Sequence, residues 1–138
     1  MSRYPYSCAV QVRYADVDAM DHVNNAVHVT YLEVARTGLW RDRIGSSGSA
    51  RDFPFIVARI AVDYRAPIRL DDVVCVEVGV KQIRRSSFTL AYRITASGRL
   101  AAEAESVQVL YDYATGTSLP IGPELRARLE GLRIDAGP

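Results

Sequence analysis

Several features are scarce or missing in this sequence, and each absence excludes a class of protein. Only 2 of the 138 residues are cysteine. Cys8 and Cys75 lie far apart in alternating apolar segments, which predicts reduced thiols rather than a disulfide framework. No apolar run approaches the roughly 20 residues that cross a bilayer, and the N-terminus MSRYPYSCAV has no long apolar secretory region. We therefore predict a cytoplasmic protein without a membrane partner.

An excess of charge of one sign is also missing. The chain carries 17 Lys and Arg against 16 Asp and Glu, without a basic stripe, so we predict no nucleic-acid partner. It has no G-x-S-x-G elbow and no Gly-rich strand-to-helix loop, which argues against a serine nucleophile and a nucleotide cofactor. Asp16, Asp18 and Asp21 lack the Gly and distal Glu of a calcium loop, and the histidines lack partners at zinc spacing. We predict no metal and no cofactor.

What is present is a chain that is 49% hydrophobic, enough for one core and one domain over residues 1–138. In CAVQVRYADVD every second residue from Cys8 is apolar, which predicts a strand. If that phase persists, Asp16 and Asp18 point to the buried side. From Asn25 the apolar period changes to that of a helix about 20 residues long, which Gly45 ends. Its apolar face is formed by Val27, Tyr31, Leu32, Ala35, Leu39 and Trp40.

Four further strands follow the helix. Their sequences are FIVARIAVDY, VVCVEVGVKQI, SFTLAYRITA and RLAAEAESVQVLYD. Short polar connections predict that they are successive antiparallel neighbours, and a short helix then begins at Pro123. The sheet has one long helix to cover its apolar face. We predict an α+β fold in which about five antiparallel strands wrap around one central helix.

Polar chemistry is concentrated just before that helix. The pattern D-x-D-A-x-x-H-V-N-N, then Y-L-E-x-A-R in the helix and R-x-S near residue 85, resembles the 4-hydroxybenzoyl-CoA thioesterase family of hotdog-fold acyl-CoA thioesterases. The resemblance covers about residues 6–130 and points to the branch that contains HVNN. One departure is Asp21, because the family motif most often has Gly before the His.

The resemblance implies that Asp18 is the catalytic carboxylate, acting as nucleophile or as general base. It also implies that His22, Asn24 and Asn25 bind substrate or form the oxyanion site. The chemistry agrees, because thioester hydrolysis needs a base on one side of the carbonyl and hydrogen-bond donors on the other. The free N–H groups of a helix N-terminus, here near Asn25, are such donors.

Each of these residues also has an ordinary structural interpretation. An Asp before a helix is commonly a turn residue, and Asn24 and Asn25 are ordinary helix caps. Asp16 is expected to orient the loop, and His22 is expected to shape it or to contact substrate. His28, one turn into the helix, is expected to pack against neighbours rather than bind a ligand.

Coenzyme A contacts are predicted at two places. The turn KQIRRSSF offers Arg84, Arg85, Ser86 and Ser87, since guanidinium groups bind phosphate; the alternative is that these polar residues solvate a tight turn.

The strand FIVARIAVDY is predicted to be an exposed edge that pairs with a second copy around Ile56–Asp63. The homodimer would place Arg59 near the partner's site, and in the family such dimers often pair into tetramers.

The predicted function is hydrolysis of an acyl-CoA thioester to a carboxylic acid and free coenzyme A. Two alternatives stay open: a thioesterase for acyl carrier protein esters, and a non-catalytic acyl-CoA binding module.

Overall fold

The computed structural model describes residues 3–45 and 54–135. Within these two ranges, two helices and six strands alternate with short irregular segments. In chain order the elements are β1 (Tyr6–Val10), a 3₁₀ turn (Tyr14–Asp16), α1 (Asn25–Leu39), a π-helical turn (Trp40–Ile44), β2 (Phe55–Tyr64), β3 (Val74–Ile83), β4 (Ser87–Ala96), β5 (Arg99–Asp112), β6 (Thr117–Ser118) and α2 (Pro123–Glu130). The predicted α+β class with five main strands and one long helix is confirmed.

The sheet is antiparallel throughout, in the order β1-β3-β4-β5-β2, with β6 paired to the end of β5. The prediction that the four strands after the helix are successive neighbours is therefore wrong at one step. Strand β2 pairs with β5 at one edge, and the connection 65–73 carries the chain across to β3. Alternating apolar residues predict where a strand lies, but they do not predict its partner. The partner depends on the edge of the sheet to which the chain crosses.

One face of the sheet is apolar because its strands alternate. In β4 every second residue from Phe88 to Ala96 is buried, and in β3 the valines at 74, 76, 78 and 80 are buried. Bulges interrupt the register of β2, β3 and β5, and such bulges bend a sheet. The sheet can therefore curl around α1.

Helix α1 fills the concave face of this sheet. Its predicted apolar stripe is confirmed, because Tyr31, Leu32, Ala35 and Leu39 are buried. The π-helical turn continues it to Ile44, and the Trp40 ring stacks on Phe88 with centroids 5.8 Å apart. Among the described residues, no helix is long and apolar enough to span a membrane.

Strand β1 ends earlier than the sequence alternation predicts. It stops at Val10, and the 3₁₀ turn that follows breaks the period of two. Asp16 is buried as predicted, but Asp18 is exposed, which corrects the prediction that both carboxylates point to the buried side. In the sequence, the apolar alternation that starts at Cys8 runs on to Tyr14, although the strand itself already ends at Val10.

An ionic cluster ties the connection 65–73 to the β4–β5 turn. The Asp72 carboxylate accepts hydrogen bonds from Arg99 at 2.7 and 3.1 Å, from Ser97 at 2.9 Å and from the Arg69 backbone N–H at 2.8 Å. The Arg99 guanidinium is the main cause that holds the pKa of Asp72 at about 2. This pKa lies below the ordinary value near 3.9, so ionised Asp72 stabilises the fold above about pH 4.

We expect Asp72→Asn to lower the free energy of unfolding by about 2 kcal/mol at pH 7. The stabilisation is lost as the pH falls from about 4 towards 2, so the difference from wild type should shrink to about 1 kcal/mol at pH 3. Urea denaturation of wild type and Asp72→Asn at pH 7 and pH 3 measures this difference in the free energy of unfolding. Asp71→Asn, at the exposed neighbouring carboxylate, is the control and should change stability by less than about 0.5 kcal/mol. An Asp72→Asn deficit that is equal at both pH values contradicts the expectation.

Candidate active site

A buried carboxylate fixes the segment between β1 and α1. Asp16 is 1% exposed and accepts hydrogen bonds from the Arg13 guanidinium at 2.7 and 3.0 Å, from the Arg13 backbone N–H at 2.9 Å and from the Tyr31 hydroxyl at 2.9 Å. Burial raises the pKa of Asp16, but the bonds from Arg13 and Tyr31 outweigh that effect, so its pKa is lowered. The ionised side chain links the segment to α1.

Two short stretches then pair with each other before the helix begins. The backbone N–H of Asn24 donates to Asp16 O at 2.9 Å, Val17 bridges Val23, and the Asp18 N–H donates to His22 O at 2.8 Å. The connecting turn requires a left-handed residue at its end, and Asp21 has φ 61°. Glycine adopts this conformation most easily, and aspartate is among the residues that tolerate it. This conformation explains how Asp21 can occupy the position where the family motif commonly has Gly.

The Asp18 carboxylate lies at the tip of this paired segment. One of its oxygens, Oδ1, accepts the backbone N–H groups of Met20 at 2.8 Å and His22 at 3.2 Å. These bonds orient the carboxylate while the side chain stays exposed. It faces a cleft of about 380 Å³, which is lined by Tyr14, Val17, Asp18, Ala19, Asp21 and Leu70.

The N-terminus of α1 follows three residues after His22. The Asn24 side chain caps it by accepting the Ala26 N–H at 2.9 Å, and the Asn24 carbonyl accepts the Val27 N–H at 2.9 Å. Within the part of the chain that the structure describes, the Asn25 N–H donates to no protein group. One donor of the first turn is therefore available next to the Asp18 segment.

The predicted coenzyme A residues do not lie near Asp18 of the same chain. Arg84, Arg85 and Ser86 connect the Ile83 end of β3 to Ser87, the first residue of β4, whereas Asp18 follows β1, which pairs with the Val74 end of β3. Ten residues of β3 separate the two ends, which is about 30 Å at 3.3 Å per residue. Within one chain, the structure does not bring these two groups together.

Arg59 lies elsewhere again. It pairs with Val107 on β5, whose neighbours Ser106 and Gln108 are buried against the helix side, so Arg59 is on the outer face of the sheet. There it borders a cleft of about 610 Å³ together with charged residues such as Lys81, Glu103 and Glu105. In the described ranges, no group of three His, Cys, Asp or Glu side chains is placed to hold a metal ion.

The sequence reasoning missed a polar chain inside the core. Buried Arg36 donates to the Tyr92 hydroxyl at 3.3 Å, Tyr92 bonds Ser106 at 2.5 Å, and Ser106 donates to Gln108. The Gln108 amide donates to two backbone carbonyls. The hydrogen bonds of this series therefore all point the same way, from the Arg36 donor towards Gln108. The sequence does contain a sign of it, because Ser106 and Gln108 are polar residues at inward positions of β5, where apolar residues are expected.

An antiparallel sheet wrapped around one helix, with an acidic turn at that helix's N-terminus, defines the hotdog class. A thioesterase from Thermus thermophilus, solved in complex with coenzyme A and Zn, superposes with a TM-score of 0.86 at 36% sequence identity and covers 96% of both chains. The family model of the thioesterase-like superfamily matches residues 12–129. The chain belongs to the thioesterase-like superfamily.

Relatives named as acyl-CoA thioesterases agree with this membership. The long-chain acyl-CoA thioesterase FadM of Escherichia coli strain K12 is 32% identical over 124 residues, or 88% of this chain and 94% of FadM. The acyl-CoA thioester hydrolase YbgC of Escherichia coli O6:H1 is 35% identical over 106 residues, or 75% of this chain and 79% of YbgC. The family resemblance is confirmed at the level of the superfamily. The narrower HVNN-containing branch stays a prediction.

Proposed function

We propose that this protein hydrolyses acyl-CoA thioesters, with Asp18 as the catalytic carboxylate and the Asn25 N–H as an oxyanion donor. The observation that carries the proposal is an oriented, solvent-accessible carboxylate on the paired segment that leads into the N-terminus of α1, in a chain whose relatives are acyl-CoA thioesterases. A helix N-terminus favours negative charge. His22 and Asn24 shape the same site through the backbone bonds of the paired segment.

In the general-base route, Asp18 takes a proton from water while the water oxygen attacks the thioester carbonyl carbon. The carbonyl oxygen becomes an oxyanion and accepts the Asn25 N–H. The carbon–sulfur bond then breaks, and the coenzyme A thiolate leaves and is protonated. In the nucleophilic route the carboxylate itself attacks the carbonyl carbon, the carbon–sulfur bond breaks with release of the coenzyme A thiolate, and water hydrolyses the resulting anhydride to the carboxylic acid and free Asp18. Both routes consume only water, so we propose no cofactor.

We further propose a homodimer as the active unit, with β2 at the interface. Strand β2 is an edge strand, and three of its side chains on the helix side of the sheet, Val57, Ile60 and Tyr64, are 36%, 36% and 44% exposed. An apolar edge of this kind favours pairing. Antiparallel pairing of two β2 strands reverses one subunit, which brings its Arg84–Ser87 end towards the Asp18 end of the other. A coenzyme A site containing both groups therefore needs two copies.

A panel of acyl-CoAs that differ in chain length and in aromaticity tests the function. We expect release of free coenzyme A thiol from at least one of them with a kcat/KM above about 10⁴ M⁻¹s⁻¹. The same acyl groups on acyl carrier protein form the second arm of the assay. Turnover only of the carrier-protein esters supports that alternative, and binding without turnover supports a non-catalytic module. The cytoplasmic location stays a prediction.

A further inference from the structure

A single peptide unit carries both the available N–H of the α1 N-terminus and a carbonyl that accepts two hydrogen bonds. The Asn24 C=O and the Asn25 N–H belong to the same rigid plane and point in opposite directions. The Asn24 oxygen accepts the Val27 N–H at 2.9 Å and meets Nδ1 of His28 at 3.2 Å. Whatever orients this carbonyl also aims the Asn25 N–H.

His28 is bound through one ring nitrogen only. Because a carbonyl oxygen can only accept, Nδ1 carries the proton, and Nε2 is then an acceptor. The residue is 2% exposed, and within the described residues Nε2 has no partner. Burial lowers the pKa of His28. An apolar side chain at this position would fill the same buried space and leave no acceptor unpaired. What His28 provides, and an apolar side chain cannot, is the hydrogen bond from Nδ1–H.

We infer that His28 is a positioning residue for the oxyanion donor: its Nδ1–H holds and polarises the Asn24–Asn25 peptide so that the Asn25 N–H points at the reacting carbonyl. The inference deepens the proposed function and rests on it. Two bonds to one carbonyl oxygen strengthen the opposite N–H as a donor. The oxyanion exists only after attack, so loss of the Nδ1–H bond should lower kcat and leave KM nearly unchanged.

The next peptide provides a matched control. The Tyr64 hydroxyl donates to Asn25 O at 2.7 Å, and its ring meets the His28 ring with centroids 4.8 Å apart. That carbonyl shares its peptide with the Ala26 N–H, which the Asn24 side chain already occupies. Tyr64→Phe thus removes a comparable bond from the same helical turn without touching the peptide that carries the free donor.

The experiment compares His28→Asn, His28→Gln, His28→Leu and Tyr64→Phe under steady-state acyl-CoA hydrolysis. The Asn amide nitrogen replaces Nδ1, whereas the Gln amide nitrogen replaces Nε2. We expect His28→Leu and His28→Gln to lower kcat about 5- to 50-fold. This is smaller than the rate loss on removing a whole oxyanion donor, because the Asn25 N–H is still present but less well oriented. KM should stay within about twofold of wild type, and Asn and Tyr64→Phe should keep kcat within about threefold.

The amide proton resonance of Asn25 is a readout that does not depend on turnover. It should move in His28→Leu and His28→Gln but stay near the wild-type position in His28→Asn. An unchanged resonance and kcat in the Leu variant, or equal kcat losses in Asn and Gln, would overturn the inference. If His28→Leu does not fold, the comparison of His28→Asn with His28→Gln tests the inference. Absence of acyl-CoA turnover in wild type refutes the proposed function instead, and the resonance still decides whether His28 holds the peptide.

Discussion

Asp18→Asn should abolish most acyl-CoA turnover while the protein still folds and binds substrate. The amide keeps the size of the side chain and one oxygen for the Met20 and His22 N–H groups, but it removes the charge and the basicity. Loss of a general base typically costs about 100- to 10,000-fold in rate. We expect a decrease of this size in kcat, measured by thiol release, with acyl-CoA affinity within a few-fold of wild type.

Two controls separate chemistry from loop geometry. The expected loss for His22→Ala is smaller, about tenfold or less, because the backbone of His22 and not its side chain makes the bonds to Asp18. Asp21→Asn removes a nearby charge on the same turn and keeps a side chain that tolerates positive φ. Comparable turnover in wild type and Asp18→Asn would refute the proposed mechanism. A loss in His22→Ala as large as that in Asp18→Asn would assign His22 a chemical role.

Ile60→Asp should convert the protein to a monomer and reduce its specific activity at least about 100-fold at micromolar concentration. Ile60 lies in the middle of the half-exposed apolar row on β2, so a carboxylate there would be buried without a partner in a β2–β2 interface. Analytical ultracentrifugation and activity on serial dilution measure both effects. Val73→Asp is the control, because Val73 is 74% exposed and lies outside the strands.

The shared site can be tested by mixing two defective proteins. Asp18→Asn lacks the carboxylate, and the double variant Arg84→Ala, Arg85→Ala lacks the proposed phosphate contacts. In a mixed dimer, one of the two sites combines an intact Asp18 with an intact Arg84–Ser87 turn. Random exchange should therefore restore roughly a quarter of wild-type activity per subunit in a two-fold dimer. A fully active monomer, or no recovery in mixtures shown to exchange subunits, contradicts a site shared between subunits.

Local pattern was sufficient for most of the elements. The period of four from Val27 to Leu39 and the apolar faces predicted for β3 and β4 are confirmed, because both follow from which side chains must leave water. Asn24 as the N-cap is confirmed for the same local reason. The pairing of β2 with β5 was not predictable in this way. Alternation states that a strand has one buried face, but it does not state which neighbour supplies the hydrogen bonds.

The site shows the same division between sequence and tertiary structure. The order of residues alone determined that carboxylates, a histidine and a helix cap share one short stretch before a helix, since these are neighbours along the chain. Only the tertiary structure decided that Asp16 is buried against Tyr31 while Asp18 is exposed, because a 3₁₀ turn ends at Asp16 and the Asp18 carboxylate bonds the N–H groups of the next turn instead. It also decided that His28 bonds the Asn24 carbonyl and that the Arg84–Ser87 turn lies at the far end of the sheet from Asp18. Such contacts depend on how the sheet curls and where the chain crosses it, which no local period encodes.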